Sequence, residues 1–325
     1  MAEMTRRGLL AGSALALGSA RQAQAAGWPD QALNWVVPYP PGGSTDTFAR
    51  PIAEYVTRRL GQSVVIDNRG GAGGTLGAAI AARARPDGYT WLVGSTGHAY
   101  APLIYPKAGF EMGRDFVPVS AFARVPAVLA INPSRFGARN LAEFIEIAKK
   151  RPGEISIASG GLGTINHLAI VLLESRAKIH LNHVPYRGAG PALQDLLSGQ
   201  VDALFAAMSV IVAYANDGKL RVLGIAGRRS EPLLPGVPTM SDAGLPDFRV
   251  GSWDALFAPK GTPASILDRM HDVVQEALAD PKVKRVWEEQ GAKVEFESRA
   301  DFSRFVEREI ARWSRIATTA HLQID

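Results

Sequence analysis

One pattern occurs twice in this chain and constrains its fold more than any other: a short apolar run, a glycine-rich turn, then an amphipathic helical run. In the first copy, residues 34–38 read as a strand, "PPGGSTD" as the turn, and Phe48, Ile52, Val56 and Leu60 recur every fourth residue, the spacing of one buried helical stripe. In the second, residues 155–158 are the strand, "SGGLGTINHL" the turn, and Ile165, Leu168 and Val171 or Leu172 the stripe. Around each copy the alternation continues. Strands are expected at 63–67 and 89–93 with a helix at 75–83. A long β-rich stretch at 116–131, broken at Pro126, precedes a helix at 141–150. Strands at 181–184, 201–205 and 220–226 flank a helix at 189–197, and a Pro-rich loop leads to one more strand at 252–258. Alternation at this spacing argues for an α/β fold with a parallel sheet covered by helices on both faces.

The restart of the pattern near residue 124 and the return near 252 predict two units. Residues 26–124 and 252–325 would form the first and 125–251 the second. Three helices close the chain: Thr262 (N-cap) and Pro263 (N1) into 266–278, Asp280-Pro281 into 283–289, and Ser298 into 302–316. Ligands of open α/β sheets lie beyond the carboxyl ends of the strands. Two such ends facing each other make a cleft with a binding turn on each wall.

A chain of 325 residues, 46% apolar and 21% charged, is ordinary for a globular protein and long enough for two domains. It has no cysteine, which excludes disulfides, thiolate metal sites and cysteine nucleophiles. The N-terminal "MTRRGLLAGSALALGSARQAQAAGW" has Arg6 and Arg7, an apolar run from Gly8 to Ala20, and Ala23-Gln24-Ala25 as a small-x-small cleavage site. That is the pattern of a secretory signal peptide, too short to span a bilayer stably. Thr5-Arg6-Arg7-Gly8-Leu9-Leu10 resembles the twin-arginine signal, with Leu9 where Phe is commoner; the general secretory route stays open. Either way residues 1–25 would be removed near Ala25 and the mature chain would work in the periplasm. Their loss takes away Arg6, Arg7 and Arg21 but only Glu3, so the formal charge falls from +5 to +3. A mild, dispersed positive excess favours anionic small molecules over a nucleic-acid track. The mature part has no run of 18 apolar residues, so no direct membrane insertion is expected.

In the first turn, Gly42 and Gly43 let the backbone approach a ligand, and Ser44 or Thr45 can cap the helix while amides point into the cleft. An anion there gains hydrogen bonds and the helix dipole without a buried Lys or Arg; a plain tight turn with an ordinary cap would use the same residues. Asp46 sits in the first helical turn, where a carboxylate is favourable anyway, and would brace the loop. "GAGGTLG" from Gly71 loosely matches a dinucleotide fingerprint, but it follows the second strand and lacks the acidic residue that ends a later strand. No cofactor is expected. A hydrolase would need a nucleophile elbow, and no GxSxG exists; a dyad drawn from Ser159, His98 and His167 is conceivable across the cleft. His180 and His183, three apart in a strand, point to opposite faces, which argues against a metal pair. His98 and His167 each sit just past a glycine-containing turn at a strand's carboxyl end, beside the cleft.

The motifs together resemble a family, the periplasmic substrate-binding receptors of tripartite tricarboxylate transporters, or Bug receptors. The likeness runs through "PYPPGGSTD", "NRGGAGGTLGA", "RPDGYTWL", "DFVPV", "RPGEISIASGGLGTINHL", "HVPYRGAGPALQDLLSGQVDALF", "DGKLRVLGI", "PGVPTMSDAGLP" and "WDALFAPKGTP", essentially the whole mature sequence. It implies a non-enzymatic protein with a type II periplasmic-binding fold, a two-domain clamshell that closes on a small carboxylate. It implies membrane transporter subunits as partners, no nucleic acid, and action as a monomer; a solute sensor signalling to a partner protein would share every residue. The resemblance places one ligand carboxylate between residues 40–46 and 159–164. Main-chain amides of Gly42, Gly43, Ser44 and Thr45, and of Gly161, Gly163 and Thr164, would hold it with hydroxyls of Ser44, Ser95, Ser159 and Thr164, beside Thr96. Tyr39, His98, His167 and Tyr186 would select the rest of the ligand. The chain also departs from the family. Gly70 stands where Pro is usual, Asp254-Ala255 replaces a more usual aromatic-Gly pair, and Ala206-Ala207 stands where some relatives place Asp. Without that carboxylate an ammonium-bearing ligand is less well accommodated, and a plain dicarboxylate or an aromatic carboxylate is expected.

Overall fold

The computed structural model describes residues 27–293 and 296–319; the signal peptide expected at 1–25 lies outside the described residues. Among the described residues nine strands form one curled sheet: β1 (Leu33–Val37), β2 (Val64–Asn68), β3 (Thr90–Ser95), β4 (Phe116–Ile131), β5 (Ser156–Ser159), β6 (Asn182–Pro185), β7 (Ala203–Ala207), β8 (Arg221–Ile225) and β9 (Gly251–Pro259). The order is β2-β1-β3-β9-β4-β7-β5-β6, with β8 also paired to β4. β1 pairs in parallel with β2 and β3, and β5 in parallel with β6 and β7. β4 and β9 run antiparallel to their neighbours. Trp35, Val36 and Val37 of β1 are fully buried, as expected of a parallel strand covered on both faces.

The helices needed here are α1 (Ser44–Leu60), α2 (Thr75–Ala82), α3 (Leu141–Lys150), α4 (Ile165–Ala177), α5 (Ala189–Ser198), α6 (Met208–Asn216), α7 (Ala264–Ala279), α8 (Pro281–Glu289) and α9 (Arg299–Thr319). Phe48, Ile52 and Val56 form the buried stripe of α1, and Gly61 ends that helix at φ 73°, donating its amide to Thr57 O, the left-handed cap that glycine adopts without a Cβ penalty. Asp280 caps α8 by accepting from the amides of Lys282 and Val283. At α7 the cap is displaced by one residue. Pro263 occupies the N-cap position, and the Thr262 hydroxyl donates back to Pro259 O at 2.8 Å.

The expected break at Pro126 is not a break. β4 continues for 16 residues through it, because Pro126 is where the strand changes partners. Up to Pro126, opposite Gly251, β4 pairs with β9; from Ala127 it pairs with β7 and, one residue on, with β8. A proline without an amide hydrogen is tolerated at such a discontinuity of the ladder. The chain therefore passes from one half of the sheet to the other along β4 and returns at β9, where Ala127 N donates to Val250 O. The result is a two-lobed α/β clamshell whose lobes share these two strands. Among the described residues no helix is long and apolar enough to cross a membrane.

Candidate ligand-binding cleft

A cavity of about 160 Å³ opens at the carboxyl ends of strands from both lobes, below the roughly 300–1,000 Å³ of sites for drug-sized ligands. Its walls are the segment from Tyr39 to Thr45 after β1, Ser95–Gly97 at the end of β3, Gly160 and Thr164–Asn166 around the start of α4, Arg187–Pro191 leading into α5, Ala207 and Val210 at the start of α6, and Ser252 and Asp254 of β9.

The first wall is built by turn chemistry. Gly42 takes a φ of 79°, which turns the chain so that its amide donates to Asp46 Oδ2 at 2.9 Å. Asp46 is buried and also accepts from Arg50 Nε and Nη2, both at 2.8 Å, and from Asn68 Nδ2 at 3.0 Å. Burial would raise the Asp46 carboxyl, but the Arg50 guanidinium and the Gly42 and Asn68 amides hold it below the usual carboxylate range. Asp46 thus braces the loop, and the Gly42 amide is committed to it. The N-terminus of α1 begins at Gly43 with no side-chain cap. The first amides of a helix have no partner within it, and here they border the cavity. Ser44 also borders it, and its buried hydroxyl is unpartnered.

Tyr39, Ser95 and His98 form the floor support. Tyr39 Oη and Ser95 Oγ are 2.9 Å apart. The Ser95 amide donates to His98 Nδ1 at 2.9 Å and His98 Nε2 lies 3.4 Å from Gly74 O, which assigns the proton to Nε2. Burial holds the His98 imidazole down at about 4, so it is a neutral brace behind Ser95 and does not line the cavity. Burial also raises the Tyr39 hydroxyl, which remains protonated. The Thr96 hydroxyl accepts from Trp253 N at 2.8 Å, tying this wall to β9.

The second wall differs from the sequence expectation. The Gly161 amide donates to Ser159 Oγ, the Gly163 amide to His167 Nδ1 and the Thr164 amide to Gly161 O, so these three amides are committed inside the turn. Ser159, Gly161, Gly163 and His167 stand behind the wall; Gly160, Thr164, Ile165 and Asn166 form it. Tyr186 also lies outside the lining, donating its hydroxyl to Asp195 Oδ2 at 2.5 Å; burial and that carboxylate push it up to about 12. Ser159 meets neither His98 nor His167. It shares a 2.7 Å hydrogen bond with His183, whose ring stacks on His167 at 4.3 Å. Ser159 is fully buried, so this pair orders the turn. His180 instead lies 3.3 Å from Glu174 with an exposed side chain, and among the described residues no cluster could hold a metal ion.

Sequence reasoning missed the Arg187-Gly188-Ala189-Gly190-Pro191 corner. It carries the same signal as the other turns, glycines between a strand and a helix. Gly188 caps α5 with φ 121° and no side-chain bond. The N-termini of α1, α4, α5 and α6 therefore all border one cavity, and of these only α4 has a side-chain cap, Thr164. Each N-terminus carries about half a positive charge. Arg187 is the cationic side chain among the described lining residues, and it is exposed at the rim. Such a cavity favours an anion by peptide dipoles. Against this stands Asp254, which is 1% exposed and accepts from Thr45 Oγ1 at 2.6 Å. The acidic side chain among the described lining residues therefore lies on β9, not at Ala206-Ala207.

Residues 48–322 match the tripartite tricarboxylate transporter family receptor model. The chain belongs to that family. A UPF0065 protein in the tcbD-tcbE intergenic region of Pseudomonas sp. (strain P51) is 39% identical over 320 residues, 97% of this chain and 95% of its own. BugT of Bordetella pertussis is 36% identical over 304 residues, 92% of each chain. Among solved structures, an R. palustris protein with adipate superposes with a TM-score of 0.87 at 34% identity, over 91% of this chain and all of its own. MatC from Rhodopseudomonas palustris, with bound malate, gives 0.84 at 35% identity over 89% of this chain and 99% of its own. The receptor is a solute-binding protein with a periplasmic-binding fold, not an enzyme.

Proposed function

We propose that this receptor captures a small organic carboxylate in the periplasm and presents it to the membrane subunits of a tripartite tricarboxylate-type transporter. The observation that carries this is the convergence of four helix N-termini on one small cavity whose lining has a single, rim-exposed cationic side chain. The relatives solved with adipate and malate support an organic acid as the ligand class. The ligand carboxylate would sit on the first-turn amides of α1, from Gly43 to Thr45, with the hydroxyls of Ser44 and Ser95; the Thr164 hydroxyl expected there is spent on Gly161 O at 2.8 Å and on capping α4. The amides opening α4 and α5 would close on it from the other side.

Residues 26–124 and 252–325 would move as one body and 125–251 as the other, the ligand favouring the closed form by its differential affinity. Residues 1–25 would direct export and be removed, leaving a monomer. Thermal-shift and calorimetric titration of the mature chain against mono-, di- and tricarboxylates tests the binding. A carboxylate is expected to raise the melting temperature; uncharged sugars doing so while every carboxylate fails would refute it. Delivery is tested by uptake of the identified acid into vesicles carrying the membrane subunits, which should require the receptor.

A further inference from the structure

Asp254 is the one acidic side chain among the described residues lining the cleft, where an anionic ligand on its own would repel it. It lies on β9 opposite Ser95 of β3 and Ala123 of β4, at the strand shared by the lobes. Oδ1 accepts the Thr45 hydroxyl at 2.6 Å, while Oδ2 is buried without any partner. A carboxylate has room for about four hydrogen bonds, and buried polar atoms are nearly always satisfied.

Among the described residues no neighbouring charged or titratable group supplies the missing donor. The Tyr39 hydroxyl is engaged with Ser95, and His98 bridges Ser95 and Gly74. Asp46 and Arg50 of α1 pair with each other. Arg124 of β4 pairs with Glu297 and stacks on Phe305, and Arg187 lies at the exposed rim.

Resting on the carboxylate reading above, we propose that Asp254 is a specificity residue whose second oxygen accepts a hydrogen bond from the ligand, so that the receptor selects organic acids bearing a hydroxyl or ammonium donor over plain acids of the same length. Burial pushes the Asp254 carboxyl up to about 7, with the Thr45 bond acting the other way; a ligand donor at Oδ2 favours the ionised form.

The test is calorimetric titration of the mature chain with matched series: succinate, malate and aspartate; glutarate, 2-hydroxyglutarate and glutamate; adipate and 2-aminoadipate; propionate, lactate and alanine. Within the series that binds, the hydroxy or amino acid should be tighter than the plain acid by roughly tenfold or more, as for a hydrogen bond to a charged group. Comparing the hydroxy and amino members tells which donor is read. Asp254→Asn keeps an acceptor for Thr45 and offers an NH₂ in place of the oxygen, so an amino acid should lose its advantage over the plain acid, whereas a hydroxy acid, whose hydroxyl can also accept, should keep part of its own. Asp254→Ala should abolish the preference. Equal affinity of plain and donor-bearing acids for the native receptor, or an unchanged preference in a folded Asp254→Ala, overturns the proposal while leaving carboxylate binding intact. Failure of every acid to bind the folded native chain overturns the carboxylate reading and this proposal together.

Discussion

The Tyr105 hydroxyl donates to the Leu162 carbonyl at 2.5 Å, joining the chain that follows the single helical turn Ala101–Ile104 to the glycine turn of the opposite lobe. The two surfaces meet closely there, since a Cβ on Gly163 would come within 2.8 Å of the Tyr105 ring. This contact ties the two lobes together outside the cavity lining. Tyr105→Phe removes the hydrogen bond and keeps the ring. With about 1 kcal/mol for such a bond, ligand affinity should fall about three- to tenfold through faster dissociation. Stopped-flow release kinetics read this directly, and the unfolding midpoint of the ligand-free chain should fall only by the few degrees that about 1 kcal/mol allows.

Gly43→Val should abolish ligand binding in a folded protein. Gly43 has φ −75°, which any residue adopts, and a Cβ there would meet only Pro40 O, at 3.5 Å. The branched side chain would instead occupy the space in front of the α1 amides. Calorimetry and circular dichroism check the two halves of this expectation; retained affinity would remove that helix end from the site.

Arg187→Gln should weaken binding about two- to fivefold at low ionic strength and less at high, because an exposed charge at the rim acts through a screened field. Titrations at low and high salt measure the difference. An equal loss in both would mean that Arg187 contacts the ligand directly.

Acid should destabilise the receptor below pH 6.5. Burial holds His98, His167 and His183 down at about 4 from an ordinary 6.5, with neighbouring His183 adding to the effect on His167. Between those values the unfolded chain binds more protons than the native one, so stability rises with pH. It is complete above about 6.5 and lost progressively as the pH falls towards 4. Urea unfolding from pH 4 to 8 tests this, and His183→Asn should flatten the slope.

Asp254 acts in the opposite direction in the ligand-free protein. Its carboxyl is raised to about 7 from 3.8 by burial, so between those values the native state binds the extra proton and stability falls as pH rises. Asp254→Asn should therefore raise the melting temperature more at pH 8 than at pH 4. Equal shifts at both pH values would show that the buried carboxylate carries no such penalty.

Much of this was legible in the sequence because strands and helices announce themselves locally. Eight of the nine strands among the described residues were expected within a few residues and the ninth, β4, as a stretch broken at Pro126, and Asp280-Pro281 starts α8 where capping chemistry requires. The site was legible only in part. Paired glycines mark where a turn is, but not which of its amides face outward. The committed amides of Gly42, Gly161 and Gly163 depend on Asp46, Ser159 and His167 folding back onto them. His183 reaches Ser159 only because β5 and β6 pair with Ile157 opposite His183. Asp254 meets Thr45 across 209 residues of chain, a contact that no local pattern encodes. Its neighbours in sequence, Trp253 and Ala255, are apolar core residues, so the acid reads as an anomaly until β9 is placed against β3.

The change of partners at Pro126 has a mechanical consequence. The lobes are joined not by two loose loops but by β4 and β9, hydrogen-bonded to one another from Phe116 opposite Pro259 to Pro126 opposite Gly251. Closing the clamshell must flex a paired ribbon, which bends like a leaf spring and resists twisting and sideways shear. A swing of the lobes would follow the direction in which that ribbon bends most easily. A receptor hung on such a spring would carry its return stroke in its own backbone.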